Sequence, residues 1–330
     1  MDRLEQLSIW VSSELNADSV RLLPASEDAS FRRYFRVTCA DRSVIAMDAP
    51  PPHENCSVFV RIARIFRAAG INVPEILAQD LDRGFLLVTD FGATTYLERI
   101  EAHTADALYR DALTTLTTLQ RASRPAVLPE YDRALLEREL RLFPEWYVRC
   151  HLSHTLNAQE AAVLEQVFET ILGNTLAQPR VYVHRDYHSR NLMVTDPNPG
   201  VLDFQDAVYG PVTYDLVSLL KDAYVEWPEE RVLDWAVRYW EQARAADLPV
   251  AADFGEFYRD FEWMGAQRHL KVLGIFARLW HRDGKDRYLA DLPRVLRHLQ
   301  RTAERYRELL PLADLLDKLH GRSRRVAHSF

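Results

Sequence analysis

The chain has 330 residues, 48% hydrophobic and 27% charged, with a formal net charge of -7. That length and apolar content suit a sizeable core shared between two lobes, and the acidic balance argues against nucleic acid as a main partner. Cys39, Cys56 and Cys150 are widely spaced without a CxxC and read as reduced core thiols rather than a metal site. Met1-Asp2-Arg3-Leu4-Glu5 lacks the basic stretch and apolar core of a signal peptide. No apolar run approaches the roughly 18 residues of a spanning helix. The expectation is a cytoplasmic monomer with no membrane or nucleic-acid partner.

Residues 4–15 carry Leu4, Leu7, Trp10, Val11 and Leu15 at helical spacing, which predicts an N-terminal amphipathic helix. Residues 31–39 and 43–47 read as two strands joined by the Ala40-Asp41-Arg42 turn. Residues 57–69 place Val58, Ile62, Ile65 and Phe66 on one helical face, with Gly70 as the C-cap. Strands follow around Glu75-Ile76-Leu77 and over 85–88. From about residue 93 the pattern is helical, interrupted by short apolar strands at 181–183, 192–194 and 201–202 and by a turn at Pro197-Asn198-Pro199-Gly200. Gly321-Arg322-Ser323-Arg324-Arg325 reads as a frayed basic terminus.

Two polar stretches sit at the ends of those strands, where reactive groups rest on a rigid base. They are His184-Arg185-Asp186-Tyr187-His188-Ser189-Arg190-Asn191 and Asp203-Phe204-Gln205. An aspartate that accepts a hydrogen bond from an attacking hydroxyl, an asparagine and a second aspartate offering oxygen ligands to a metal make up the side-chain set of phosphoryl transfer. Asp186 fits the first role, and Asn191 and Asp203 fit the metal roles with Mg²⁺. His184 and His188 read as loop-orienting residues, and Asp215 as the cap of the helix that follows.

The HxDxHxxN run and the downstream Asp-Phe resemble the aminoglycoside phosphotransferase and choline kinase family, a resemblance that spans nearly the whole chain. It implies an α+β, bilobal, protein-kinase-like fold. Residues 1–91 would form a small β-rich nucleotide-binding N-lobe, and 92–330 a large, mostly helical C-lobe holding the catalytic loop, metal site and acceptor site. It also implies ATP and Mg²⁺ as cofactors. Softer motifs, Ser26 to Phe35, Met47-Asp48-Ala49-Pro50-Pro51 and Phe143-Pro144-Glu145-Trp146, are most similar to family members that phosphorylate amino sugars. They imply the anomeric C1 hydroxyl of N-acetylmuramate and N-acetylglucosamine, in peptidoglycan recycling. Another alcohol or antibiotic as acceptor, or a nucleotide-binding module without turnover, are the rival readings.

Asp90-Phe91-Gly92 spells a kinase metal motif but precedes the catalytic loop. By position, Val88, Thr89, Asp90 and Phe91 read as the hinge beside adenine. The strand that carries a phosphate-binding Lys in kinases reads Val44-Ile45-Ala46-Met47-Asp48, with no cation, and the preceding hairpin lacks glycine. Backbone amides of Ala29, Ser30 and Phe31 with Arg32 or Arg33 are the candidates for phosphate. Strand alternation allows only one of the two arginines to face the nucleotide. For the acceptor, Glu145, Trp146, Arg149, Asp206, Arg268 and Lys271 are the candidates. The cation-rich stretch around Arg268 and Lys271 favours a neutral or anionic sugar over a polycation, and Tyr147, Trp263 and Trp280 are further stacking surfaces.

Overall fold

The computed structural model describes residues 2–26, 32–39, 42–51 and 53–321, with the backbone alone for Ser26, Cys39 and Arg42. Ala29, Ser30 and Phe31 lie outside the described residues. The chain divides into two compact units: Met1–Leu119 with Arg190–Asp206, and Gln120–Ser189 with Ala207–Phe330.

The first unit opens with helix α1 (Arg3–Glu14), capped by the Asp2 carboxylate. Strands β1 (Leu23–Ser26), β2 (Arg33–Cys39) and β3 (Arg42–Asp48) follow, then helix α2 (Cys56–Ala68) and strands β4 (Ile76–Asp80) and β5 (Phe85–Thr89). The five strands form one antiparallel sheet in the order β1-β2-β3-β5-β4. Alternate residues Phe35 and Val37, Val44 and Ala46, Phe85 and Leu87 share one core with Leu7, Trp10 and Val11 of α1. Emptying such a site, as Leu7→Ala would, costs roughly 2–5 kcal/mol. Helix α2 stops where the sequence says it should. Gly70 takes φ +82°, the Gly70 N–H meets the Arg67 carbonyl, and the Ile71 N–H meets the Phe66 carbonyl, the pair of bonds that closes a Schellman turn. Short α3 (Tyr96–Arg99) and α4 (Ala105–Arg121) follow.

The second unit begins at the end of α4 and continues through α5 (Arg133–Leu140), a π-helical segment (Phe143–His151), α6 (Ala158–Ala177) and β6 (Arg180–Val183). The chain then returns to the first unit for the hairpin β7 (Leu192–Met193) and β8 (Gly200–Val201). Back in the second unit, β9 (Val208–Pro211) pairs with β6, and helices α7 (Tyr214–Leu220), α8 (Glu229–Ala245), α9 (Phe254–His281), α10 (Leu292–Arg305) and α11 (Leu310–Leu319) complete it. Helix α9, 28 residues long, is buried on nearly every side from Phe261 to Ala277, the mark of a helix at the centre of its unit. A Cβ on its Gly274 would stand 2.4 Å from the Leu142 carbonyl carbon, so glycine is what lets α9 lie against the start of the π-helical segment. The α+β architecture expected from the sequence is the one found. The π-helical turn was not expected. Among the described residues no helix is long and apolar enough to cross a membrane.

Candidate active site

In the second unit, the stretch from His184 to Ser189 leaves β6 and is tied down residue by residue. Asp215, buried in the first turn of α7, accepts the His184 N–H at 2.6 Å and the Arg185 N–H at 3.0 Å. This corrects the expectation that Asp215 caps its own helix. Thr213 occupies the N-cap, and the carboxylate faces the loop instead. Burial pushes Asp215 up to about 7 although both N–H groups pull the other way. Arg185 has φ +77°, a left-handed conformation that costs a non-glycine residue about 1–2 kcal/mol. Its carbonyl accepts Arg268 Nη1 at 2.7 Å. The Asp186 N–H donates to His184 Nδ1 at 3.2 Å, and the His188 N–H to the Asp186 carbonyl at 3.0 Å. The Ser189 N–H and hydroxyl both donate to Asp222 Oδ2, at 3.0 and 2.5 Å.

Asp186 itself keeps 40% of its side chain exposed, with Arg268 Nη2 3.7 Å from Oδ1. Its surroundings raise its pKa by desolvation, but Lys271 and Arg268, then His188 and Arg185, outweigh that and hold it far below the ordinary carboxylate range. Arg268 and Lys271 of α9 are both buried. Each donates to the Tyr214 hydroxyl, at 3.1 and 2.9 Å. Lys271 also meets Glu139 Oε1 at 3.1 Å. These two cations, expected among the acceptor's partners, are engaged with carboxylates and a hydroxyl around the loop.

In the first unit, the β7–β8 hairpin pairs Leu192 with Val201 and Met193 with Gly200. The Leu202 N–H donates to the Asn191 carbonyl at 2.9 Å, so Asn191 and Asp203 stand at the same end of the hairpin. Gly200 is needed there, since a Cβ would lie 2.6 Å from the Phe91 ring. Asp203 takes φ +61°, a left-handed conformation that aspartate adopts more readily than most residues. Gln205 Nε2 donates to Asp203 Oδ1 at 2.8 Å and lies 3.4 Å from Asp206 Oδ2. Phe204, fully buried, packs on Phe59 and Phe66 of α2 with ring centroids 4.7 and 5.8 Å apart and anchors the segment beside Asp203.

The two neighbouring arginines part company. Arg33 donates to the buried Asp48 through Nε at 3.0 Å and Nη2 at 2.5 Å, and Arg3 donates to the same carboxylate at 2.6 Å. Arg32 instead places Nη2 3.7 Å from Asp203 Oδ1 and Nε 4.0 Å from Glu54 Oε2. Met47, next to Asp48 on the strand where kinases carry the phosphate-binding lysine, is buried. After β5, Asp90 accepts Arg36 Nε at 2.6 Å, the Ser43 hydroxyl at 2.7 Å and the Gly92 N–H at 2.9 Å. Burial alone would raise Asp90, yet these bonds hold it below the usual carboxylate range. The Thr89 N–H is taken by the Glu75 carbonyl at 3.1 Å, and its hydroxyl accepts the Glu75 N–H at 3.0 Å. Val88 is buried in the sheet and Phe91 covers Gly200.

Among the remaining acceptor candidates, Glu145, Trp146 and Arg149 lie on the π-helical segment of the second unit, and Asp206 is exposed at the end of the first. Glu145 and Arg149 are exposed and 3.8 Å apart, while Trp146 is half-buried. Tyr147 is buried, stacks on Phe143 and bonds His320 Nε2 at 3.0 Å. Trp263 is buried against Tyr306. Both are core packing. Sequence reasoning missed Glu139 altogether. Its signal is a carboxylate on the apolar stripe of α5, between Leu136 and Leu140, which are both buried.

The profile of the phosphotransferase enzyme family matches residues 21–254. An N-acetylmuramate/N-acetylglucosamine kinase of Pseudomonas putida is 51% identical, with 98% of each chain covered. A protein of the same name from Neisseria meningitidis serogroup B is also 51% identical, with 97% of each covered. Among solved structures, choline kinase LicA from Streptococcus pneumoniae aligns with TM-score 0.64 at 12% identity, over 90% of this chain and 99% of that one. The ADP-bound aminoglycoside phosphotransferase APH(2'')-Ib aligns with TM-score 0.57 at 16% identity, over 89% and 97%. At such identities the structures speak for the shared kinase-like fold, while the family profile and the half-identical relatives speak for descent. The chain belongs to the phosphotransferase enzyme family.

Proposed function

We propose that the protein is an ATP- and Mg²⁺-dependent kinase acting as a cytoplasmic monomer on N-acetylmuramate and N-acetylglucosamine, placing the phosphoryl group on the anomeric C1 hydroxyl for peptidoglycan recycling. The observation that carries the chemistry is Asp186: a half-exposed carboxylate on a loop tied by both backbone groups of the preceding residue. The acceptor rests on the half-identical relatives, whose names give those two sugars. The division into a nucleotide-binding part, 1–91, and a catalytic and acceptor part, 92–330, belongs to the same reading.

Asp186 orients the sugar hydroxyl and takes its proton. The cations around it make it a weak base. In a loose transition state that is sufficient, because the hydroxyl becomes acidic only as its oxygen bonds to phosphorus. Asn191 and Asp203 offer an amide oxygen and a carboxylate, a donor set suited to a hard ion such as Mg²⁺. When bound with the nucleotide, that ion neutralises charge on the phosphates. Arg32 beside Asp203 is the cation assigned to the phosphates, while Arg33 serves Asp48. Because Glu75 occupies the Thr89 N–H, adenine would be read by backbone at Asp90 and Phe91, with Val88 as apolar backing. Ala29, Ser30 and Phe31 remain the amide donors of this reading. Glu145, Trp146, Arg149 and Asp206 remain its acceptor contacts, and Arg268 and Lys271 act on the acceptor through the loop they hold.

The test offers the purified protein Mg·ATP with N-acetylmuramate, N-acetylglucosamine, choline and kanamycin. ADP release with the two amino sugars alone is expected. Turnover with choline or kanamycin and not with the sugars would overturn the acceptor assignment.

A further inference from the structure

Glu139 is buried on a helix face that also carries Leu136 and Leu140, and a buried ion is costly unless what it holds repays the desolvation. Its carboxylate accepts from the Tyr131 hydroxyl, the Arg185 guanidinium, Lys271 Nζ at 3.1 Å and Gln267 Nε2 at 3.3 Å. From there the bonds run in a closed ring. Glu139 holds Lys271, Lys271 and Arg268 share the Tyr214 hydroxyl, Arg268 holds the Arg185 carbonyl, and the Arg185 side chain returns to Glu139. Arg185 is the strained residue immediately before Asp186. A left-handed non-glycine residue persists only where its surroundings over-determine it. Asp215 fixes its N–H, Arg268 its carbonyl and Glu139 its side chain.

Without the Glu139 carboxylate, Arg185 and Lys271 would each lose the buried anion that they share. The ring would open at the residue that aims Asp186. The partners of Glu139 are Tyr131, Arg185, Gln267 and Lys271 rather than Asp186, so its effect would pass through Arg185 and Lys271.

We propose that Glu139 is a positioning residue for phosphoryl transfer, fixing through Arg185 and Lys271 the loop that presents Asp186. The proposal rests on the reading of Asp186 given above.

The test compares Glu139→Gln, Lys271→Met, the double variant Glu139→Gln/Lys271→Met and Asp186→Asn in the full chain. It measures kcat, the KM for ATP, the Kd for ADP and Tm. Glu139→Gln should lower kcat by about 10- to 100-fold, the scale of a loop misplaced by about 1 Å, with the ATP KM and ADP Kd unchanged. The double variant removes one buried cation with the anion, so its Tm should recover while kcat stays low. Recovery of kcat along with Tm would reduce Glu139 to a charge-balancing role and overturn the proposal, as would a wild-type kcat in Glu139→Gln. If Glu139→Gln alone does not fold, the double variant is read against Lys271→Met alone: a further loss of kcat of about tenfold or more in the double variant supports the proposal, and equal kcat in the two refutes it. Wild-type turnover in Asp186→Asn would discard the reading of the loop itself. A dead Asp186→Asn beside a fully active Glu139→Gln would discard only the role of Glu139.

Discussion

In the unit formed by Met1–Leu119 and Arg190–Asp206, the key carboxylates are met by arginines reaching in from the surface. Asp48 has Arg3 and Arg33, Asp90 has Arg36 and Asp203 has Arg32, and the arginine side chains keep from 11% to 48% of their surface exposed. In the other unit Glu139, Lys271 and Arg268 are only 6 to 7% exposed and are bound into one ring with Arg185 and Tyr214. Of these, the Arg32–Asp203 pair has a carboxylate open to solvent, and such a pair is weak and exchanges partners easily, which suits side chains that must take up a charged ligand. A buried ring cannot exchange a member without leaving a stranded charge, which suits the holding of a fixed geometry. The contrast is therefore between charges kept for trading and charges kept for aim.

The largest effect that can break this contrast lies at the aimed group. Asp186→Asn should cut kcat by about 10²-fold or more with the Kd for ADP unchanged, whereas Asp203→Ala should weaken Mg·ATP binding as well. If Asp186→Asn changed nucleotide affinity as much as turnover, the division of labour would be wrong. The next effect sharpens the picture within the first unit. Arg32→Ala should raise the KM for ATP by about tenfold, the lower end of what a charge-assisted hydrogen bond provides. Arg33→Ala should leave KM alone and lower Tm by about 2–4 °C, because it takes one of two cations from the buried Asp48. Equal and negligible effects on KM would leave the phosphates to backbone and metal alone.

Much of the fold was legible because its signals are local. Gly70 ends α2 through its own backbone, and the apolar alternation along 31–39 and 43–47 marks the sheet. The Asn191 and Asp203 positions follow from two short apolar strands around a proline-glycine turn. What stayed hidden is set by contacts distant in sequence. Alternation could say that Arg32 and Arg33 diverge, but not that Asp48 would claim Arg33. Asp215 looked like a helix cap because nothing local reveals that β6 delivers two N–H groups to it. The cations of α9 were legible, but the run from Gln267 to Lys271 does not disclose that Glu139, more than a hundred residues earlier, bonds Lys271. The π-helical turn over Phe143–His151 likewise begins where Gly274 of α9 meets the Leu142 carbonyl, a contact no local pattern predicts.

The most direct test of the account is the position of phosphate on the product. Phosphorus–proton correlation NMR of N-acetylmuramate treated with the protein and Mg·ATP should show the new phosphorus coupled to the anomeric proton, with one ADP formed per sugar. Coupling to the C6 protons instead, or ATP hydrolysis with no phosphosugar, would contradict it.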